Sequence, residues 1–314
     1  MRSLRLLLRL AAPLLAVSRA GAWTLAHTYD ASNFFTDFTF WTAADPTHGV
    51  VQYVDQGTAS SMGIAKIESG SVYLGVDTTQ AVTVGRKSIR LSSNAQYTHG
   101  LFVADISHMP GSICGLWPAF WTTGSQWPQE GEIDIIEGVN NGNTNTMTLH
   151  TSPGLTMQSK GTAEGLQISN PDCGADQGHT GCGVTSQDQS GYGDGFNQAQ
   201  GGVYAMEWTA KSISIWHFQR SKIPADISSQ SPDPSTWGAP TANFVPTSGQ
   251  IDSFFMNHEI VINTDFCGDW AGAVFAQQCG ASTGTQSCED YVLNNGEAFK
   301  EAYWIFNSIK VYQQ

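Results

Sequence analysis

Gln129-Glu-Gly-Glu-Ile-Asp-Ile-Ile-Glu-Gly-Val139 interleaves carboxylates with isoleucines, a pattern that only a strand with two unlike faces accommodates. Side chains alternate between the faces of a strand, so Glu132 and Asp134 share one face while Glu137 falls out of step. A β-bulge at Ile135-Ile136 sets two residues against one on the neighbouring strand and returns Glu137 to the face of the other two acids. The stretch thus predicts a strand with an apolar side buried in a core and an acidic side lining a groove.

With the bulge absorbed, Glu132 and Glu137 stand about four strand steps apart, roughly 13 Å between Cα atoms. Side chains leaning together bring the carboxyl groups to the roughly 5 to 5.5 Å at which one attacks an anomeric carbon and the other protonates the leaving oxygen. Two acids so close do not titrate alike: the more perturbed one holds its proton as the acid, and the other stays ionised as the nucleophile.

Working outward, short apolar or aromatic runs recur, bounded by Gly, Asn, Pro or Ser: Ser71–Val76, Lys87–Leu91, Gly100–Asp105, Met147–His150, Val203–Trp208, Ser212–Phe218, His258–Ile262 and Ser308–Tyr312. Strands of this length without alternating helices predict an all-β sandwich of two antiparallel sheets. Two long segments of low apolar content interrupt the pattern. Thr151–Gln200 is expected to form an ordered wall beside a cleft, and the Pro- and Ser-rich Ser221–Gln250 reads equally as functional loop or charge-poor spacer.

Met1–Ala22 carries Arg2, Arg5 and Arg9, then an apolar run and small residues, the layout of a secretory signal cleaved after Ala20 or Ala22. The run is too short to span a bilayer, and no apolar tail closes the chain, so neither a membrane span nor a lipid anchor is expected. Loss of the segment removes four arginines and no acids, taking the formal net charge from -13 to -17 and making nucleic acid and anionic membranes poor partners. Residues 23–314 have the length of one all-β domain, expected to be secreted, extracellular and monomeric. Six cysteines predict up to three disulfides, with Cys173 and Cys182 closing a local loop and the other four leaving three pairings open. None has Cys-x-x-Cys spacing, so neither metal nor cofactor is called for. The sequence contains no N-glycosylation sequon.

Ten tryptophans are present, and Trp117, Trp121 and Trp127 fall within the fifteen residues before Glu132. Indole rings give flat platforms for the C–H face of a pyranose. Trp121 and Trp127, which bracket a polar turn, are expected to be exposed, whereas Trp208, Trp216 and Trp304 are expected in the core. His150, at the end of the next strand, is placed to orient an acid or touch a sugar.

Gly131-Glu-Ile-Asp-Ile-Ile-Glu-Gly138 resembles the bulge-containing signature of glycoside hydrolase family 16, and the chain is similar to its fungal secreted endo-1,3(4)-β-glucanases, or laminarinases. Ala44–Gly49, His108–Pro110, Leu116–Ala119, Met147–Thr151, Gly181–Val184 and Phe266–Gly272 extend the resemblance over nearly the whole chain after residue 22. The resemblance implies a concanavalin- or lectin-like β-jelly roll with a concave substrate cleft, acting on β-glucan within the chain with retention of configuration. It assigns Glu132 as nucleophile, Glu137 as acid/base and Asp134 as assistant, with Trp121, Trp127, His150, Arg86 and Trp270 along the cleft; any Ca²⁺ would be structural. Two departures stand out. Regions 152–156 and 246–250 lack cysteines that related fungal chains often carry, and Glu130 occupies a place that is commonly neutral, where it either faces the groove or is solvated beside Pro128. Two rival readings use the same scaffold: a glucan-binding lectin, which has no need of the carboxylates, and a cell-wall transglycosylase, which uses them with a sugar acceptor.

Overall fold

The computed structural model describes residues 23–174, 180–229 and 231–314; the leader reading of Met1–Ala22 lies outside them. In chain order the strands are β1 Thr24–Tyr29, β2 Phe38–Phe40, β3 Val51–Tyr53, β4 Ala65–Glu68, β5 Ser71–Leu74, β6 Arg86–Ser88, β7 Arg90–Ser93, β8 Gly100–His108, β9 Leu116–Thr123, β10 Glu132–Glu137, β11 Thr146–His150, β12 Thr156–Ser159, β13 Cys182–Thr185, β14 Gly202–Trp208, β15 Ile213–Gln219, β16 Ala242–Ser248, β17 Glu259–Phe266 and β18 Trp304–Gln313. A nine-stranded sheet runs β12-β16-β15-β14-β8-β18-β5-β4, with β1 beside β18, and a seven-stranded sheet runs β13-β11-β10-β9-β17-β7-β2. Their ladders are antiparallel, and β3 and β6 add a short parallel pair. Each run of strand character in the sequence coincides with or overlaps one of these strands, in a jelly-roll sandwich.

Alternation explains the layers. Ile133, Ile135 and Ile136 from β10, Phe120 from β9, and Ile260 and Ile262 from β17 point inward, where they meet Phe102, Ala104 and Ile106 of β8 and Phe306, Ile309 and Val311 of β18. Phe120 and Phe306 bridge the two sheets with ring centres 5.7 Å apart. β8 is apolar on both faces because its other side is also covered: Leu101 and Val103 lie with Trp216, Ile227 and Tyr312 in a second apolar cluster. Ile223 and Trp237 close that cluster, Trp237 standing edge-on to Trp216 at 5.5 Å. Part of the Ser221–Gln250 segment is therefore a lid on the nine-stranded sheet, and its last third is β16, so it is not a spacer. Trp208, Trp216 and Trp304 are buried as expected.

Thr151–Gln200 ties the layers together, since β12 joins the nine-stranded sheet and β13 the seven-stranded one. Cys173–Cys182 closes its local loop. Cys114–Cys279 and Cys267–Cys288 pin two helices, Ala273–Thr283 and Cys288–Asn294, against Leu116, Phe266 and Phe299. The strand-based reading did not anticipate these helices: the apolar residues of the first bunch in Ala273-Val-Phe-Ala276 and draw no helical stripe.

Arg86, expected in the cleft, is instead fully buried beside these helices. Its guanidinium donates to the carbonyls of Val292, Asp77 and Thr79 at 2.6–3.0 Å and lies over the Phe299 ring. A planar cation with five donors is suited to gathering carbonyls from two segments that have no ladder partner. Arg86→Met should lower the unfolding free energy by about 3 kcal/mol, because several buried carbonyls lose their donor at once. Urea denaturation checks this, and a loss below about 1 kcal/mol would contradict a structural role.

Candidate active site

The ladder between β9 and β10 pairs Glu132 with Thr123 and Asp134 with Trp121, then slips so that Ile136 opposes Phe120 and Glu137 opposes Ala119. Ile135 is the unmatched residue. All three acids consequently project from the outer face of the seven-stranded sheet, as the sequence required, while the isoleucines stay inside. Gly131 admits the chain to β10 at φ 81°, where a Cβ would come within 2.5 Å of the Phe254 carbonyl.

Directly opposed residues share a face, so the registers define the rest of the surface. His150 of β11 faces Glu132, and Thr148 faces Asp134. On the other side, Glu259, Val261 and Asn263 of β17 oppose Thr123, Trp121 and Ala119, and Arg90 of β7 opposes Asn263. The acids occupy one part of this face and an aromatic platform the other. Trp117 donates its indole N–H to Glu137 Oε1 at 2.8 Å, and Trp121 donates to Asn263 Oδ1 at 2.8 Å. Arg90 is sandwiched between Trp121 and Trp41, with ring centres 5.1 and 4.9 Å from its guanidinium carbon. The arginine of the groove is thus Arg90, not Arg86.

Trp270 is half-buried and meets Trp117 edge-on at 5.8 Å. Trp127 is 42% exposed on the loop between β9 and β10. Glu130 turns back onto that loop, accepting from the Gln126 N–H and Ser125 Oγ, and these bonds hold its carboxyl below the usual range. It is solvated on the loop that carries Pro128, as one of the two alternatives read from the sequence had it, and does not face the groove. Trp41, Arg90 and Asn263 were missed because they come from the end of β2, from β7 and from β17, distant in sequence. Trp117 was grouped with the sugar platforms but given no place beside Glu137, because Leu116–Thr123 was not read as a strand. Its alternation of Trp117, Ala119, Trp121 and Thr123 carried that signal.

His150 Nε2 lies 3.4 Å from Asp134 Oδ2 and 4.0 Å from Glu132 Oε1, and the Glu132 and Asp134 side chains are only 18% and 3% exposed. Burial pushes all three carboxyls up to about 8. The charge of Asp134 adds to this for Glu132 and Glu137; His150 and Arg90 oppose it at Glu132, and the Trp117 bond and His150 oppose it at Glu137. Donor atoms of Glu132, Asp134 and His150 fall within 4.8 Å of one another, a spacing that suits a shared proton and that a cation would also fit.

The profile of the XgeA-like, catalytic GH16 domain matches residues 38–312. The chain belongs to glycoside hydrolase family 16. Among family 16 relatives, a probable endo-1,3(4)-beta-glucanase of Aspergillus fumigatus is 46% identical over 307 residues, covering 95% of this chain and 47% of its own length. The endo-1,3(4)-beta-glucanase xgeA of Emericella nidulans is 44% identical over 302 residues, covering 94% and 48%. The chain thus spans about half the length of these curated relatives. Among solved structures, an elongating family 16 beta-1,3-glucosyltransferase superposes with TM-score 0.87 at 45% identity, covering 93% of this chain and all of that one. Laminarinase 16A of Phanerochaete chrysosporium, holding beta-glucans in donor and acceptor sites, superposes with TM-score 0.86 at 40% identity over the same shares.

Carboxyls raised by folding bind protons more tightly in the folded than in the unfolded chain. Their contribution to stability is full below the ordinary carboxylate range near pH 4 and is lost as pH rises towards about 8. Asp134→Asn should therefore flatten the decline in unfolding free energy between about pH 4 and pH 8, measured by urea titration across that window. An unchanged slope would contradict the shift.

Proposed function

We propose that this domain is an endo-acting, retaining hydrolase of β-1,3-glucan and mixed β-1,3-1,4-glucan. The observation that carries the reading is the placement of Glu132, Asp134 and Glu137 on one outer sheet face beside an aromatic platform. Glu132, whose register pairs it with His150 at the start of the strand, is the nucleophile, the role its place in the Glu-Ile-Asp-Ile-Ile-Glu signature implies. Asp134, almost fully buried, shares a hydrogen bond with Glu132 that works against the rise of its own pKa, so one proton serves the pair and the trio is left short of three charges. Glu137, oriented by the Trp117 indole, is the acid/base.

In the first step Glu132 attacks the anomeric carbon, the glycosidic C–O bond breaks, and the departing oxygen takes the Glu137 proton. In the second, Glu137 removes a proton from water, whose oxygen attacks the same carbon and releases Glu132 as a carboxylate. Two inversions leave the configuration retained. Four strand spacings separate β10 from β2, roughly 19 Å, room for about three to four pyranose units along Trp121, Arg90 and Trp41. The three disulfides and the basic-apolar pattern of Met1–Ala22 fit secretion into an oxidising medium.

The likeness to an elongating glucosyltransferase supports a second reading, in which a sugar hydroxyl replaces water in the second step. Incubation of wild type and Glu132→Ser with laminarin, lichenan and xyloglucan, followed by reducing ends and chain length, separates the readings. Hydrolysis predicts rapid shortening of laminarin, a first-formed β-anomer by NMR, and a loss of about 10³-fold or more in Glu132→Ser. Longer products without new reducing ends mean transfer, and binding without cleavage by either protein would leave a lectin. Trp41→Ala and Arg90→Ala should each raise KM several-fold for laminarin oligosaccharides of about five units or more with kcat nearly unchanged, the signature of lost uniform binding. Equal effects on the disaccharide would contradict this placement.

A further inference from the structure

The bulge that turns Glu137 outward leaves a gap in the ladder on its other side. β10 and β11 pair in register only from Glu132–His150 to Asp134–Thr148, so beyond Asp134 no ladder pair joins β11 to the bulged segment. Asn145, the residue before β11 and fully buried, fills the gap with its side chain. Its Oδ1 accepts the Glu137 N–H at 2.8 Å, and its Nδ2 donates to the Ile135 carbonyl at 2.8 Å. One carboxamide thus takes both backbone groups that flank the bulge, standing in for the peptide unit of a missing strand residue. Its own carbonyl accepts from Ser186 N–H at 2.9 Å, which ties it to the segment after β13.

We infer that Asn145 is the positioning residue for Glu137, locking the bulge so that the acid/base carboxyl stays on the groove face. The inference rests on the assignment of Glu137 proposed above and deepens it. A one-residue slip of a strand exchanges its faces, so a bulge without this clamp leaves Glu137 free to turn away from Trp117 while Glu132, held by the intact His150 register, keeps its place. No other side chain of similar size supplies the same pair of bonds. Asp accepts from Glu137 but has no donor for Ile135 when ionised, Ala offers neither, and Gln carries its amide one methylene further out.

The test separates the two carboxylates by chemistry. Laminarin needs its leaving oxygen protonated. A 2,4-dinitrophenyl β-laminaribioside does not, and azide can then displace Glu132 from the glycosyl-enzyme without base assistance, giving a β-glycosyl azide and the free carboxylate. Glu137→Ala should lose laminarin turnover, while azide raises its turnover of the aryl donor. Asn145→Ala should lower kcat on laminarin by about 10- to 100-fold with KM nearly unchanged, and should retain aryl-donor turnover in azide within about threefold of wild type. The double variant Asn145→Ala/Glu137→Ala should match Glu137→Ala in azide, since residues acting through one group are not additive. If Asn145→Ala does not fold by circular dichroism, Asn145→Asp carries the test with the same two readouts. Wild-type laminarin turnover in the Asn145 variant overturns the inference, as does an equal fall on both substrates. A Glu137→Ala protein that azide does not rescue overturns the acid/base assignment itself, whereas rescue of Glu137→Ala with an unaffected Asn145 variant overturns only the role of Asn145.

Discussion

The break in the β9–β10 ladder at Ile135 lets a strand with three isoleucines on its buried side present three carboxylates on its outer side, and the rest of the site is organised around it. In an unbroken strand Glu137 would point into the core, and burying a carboxylate there without a partner would cost more than a small domain can offset. The spare residue removes that conflict while leaving its own backbone groups to be satisfied by a side chain instead of a strand. Local irregularity in the backbone and function in the side chains are therefore one feature.

The gathered acids then place a second constraint on the molecule. Three carboxyls on one partly buried face repel one another, and the fold tolerates them by sharing protons and by surrounding them with donors: Trp117 at Glu137, and His150 and Arg90 near Glu132. These donors are themselves held. Trp121 is tied to Asn263, Arg90 lies between two indoles, and His150 sits against Gly181, where a Cβ would come within 2.7 Å of the imidazole. Rigid support of this kind fixes the positions of the three carboxyls relative to one another. It also explains why the aromatic residues cluster beside the acids.

Much of the site was legible in the chain because strand periodicity is local. Alternation with one slip places Glu132, Asp134 and Glu137 together, and His150 follows from the hairpin partner. Trp117, Trp41 and Asn263 were not legible in the same way, because their place depends on β9, β17 and β7 lying side by side although more than a hundred residues separate parts of them. Arg86 and Arg90 show the limit most sharply. They are four residues apart and of one type, yet Arg86 lies on the short parallel pair and gathers carbonyls inside the protein, while Arg90 lies on the seven-stranded sheet and faces the groove.

The order of residues alone determined the β class, the bulge, the three acids and the local Cys173–Cys182 loop, since each follows from spacing within a few residues of chain. Tertiary structure decided which arginine meets the groove, which tryptophans form the platform, how the other four cysteines pair, and that part of a Pro- and Ser-rich segment is a lid on the second sheet. These outcomes depend on contacts between segments distant in sequence. Burial and register there are set by what the opposing layer provides, and that information is carried by no single stretch of the chain.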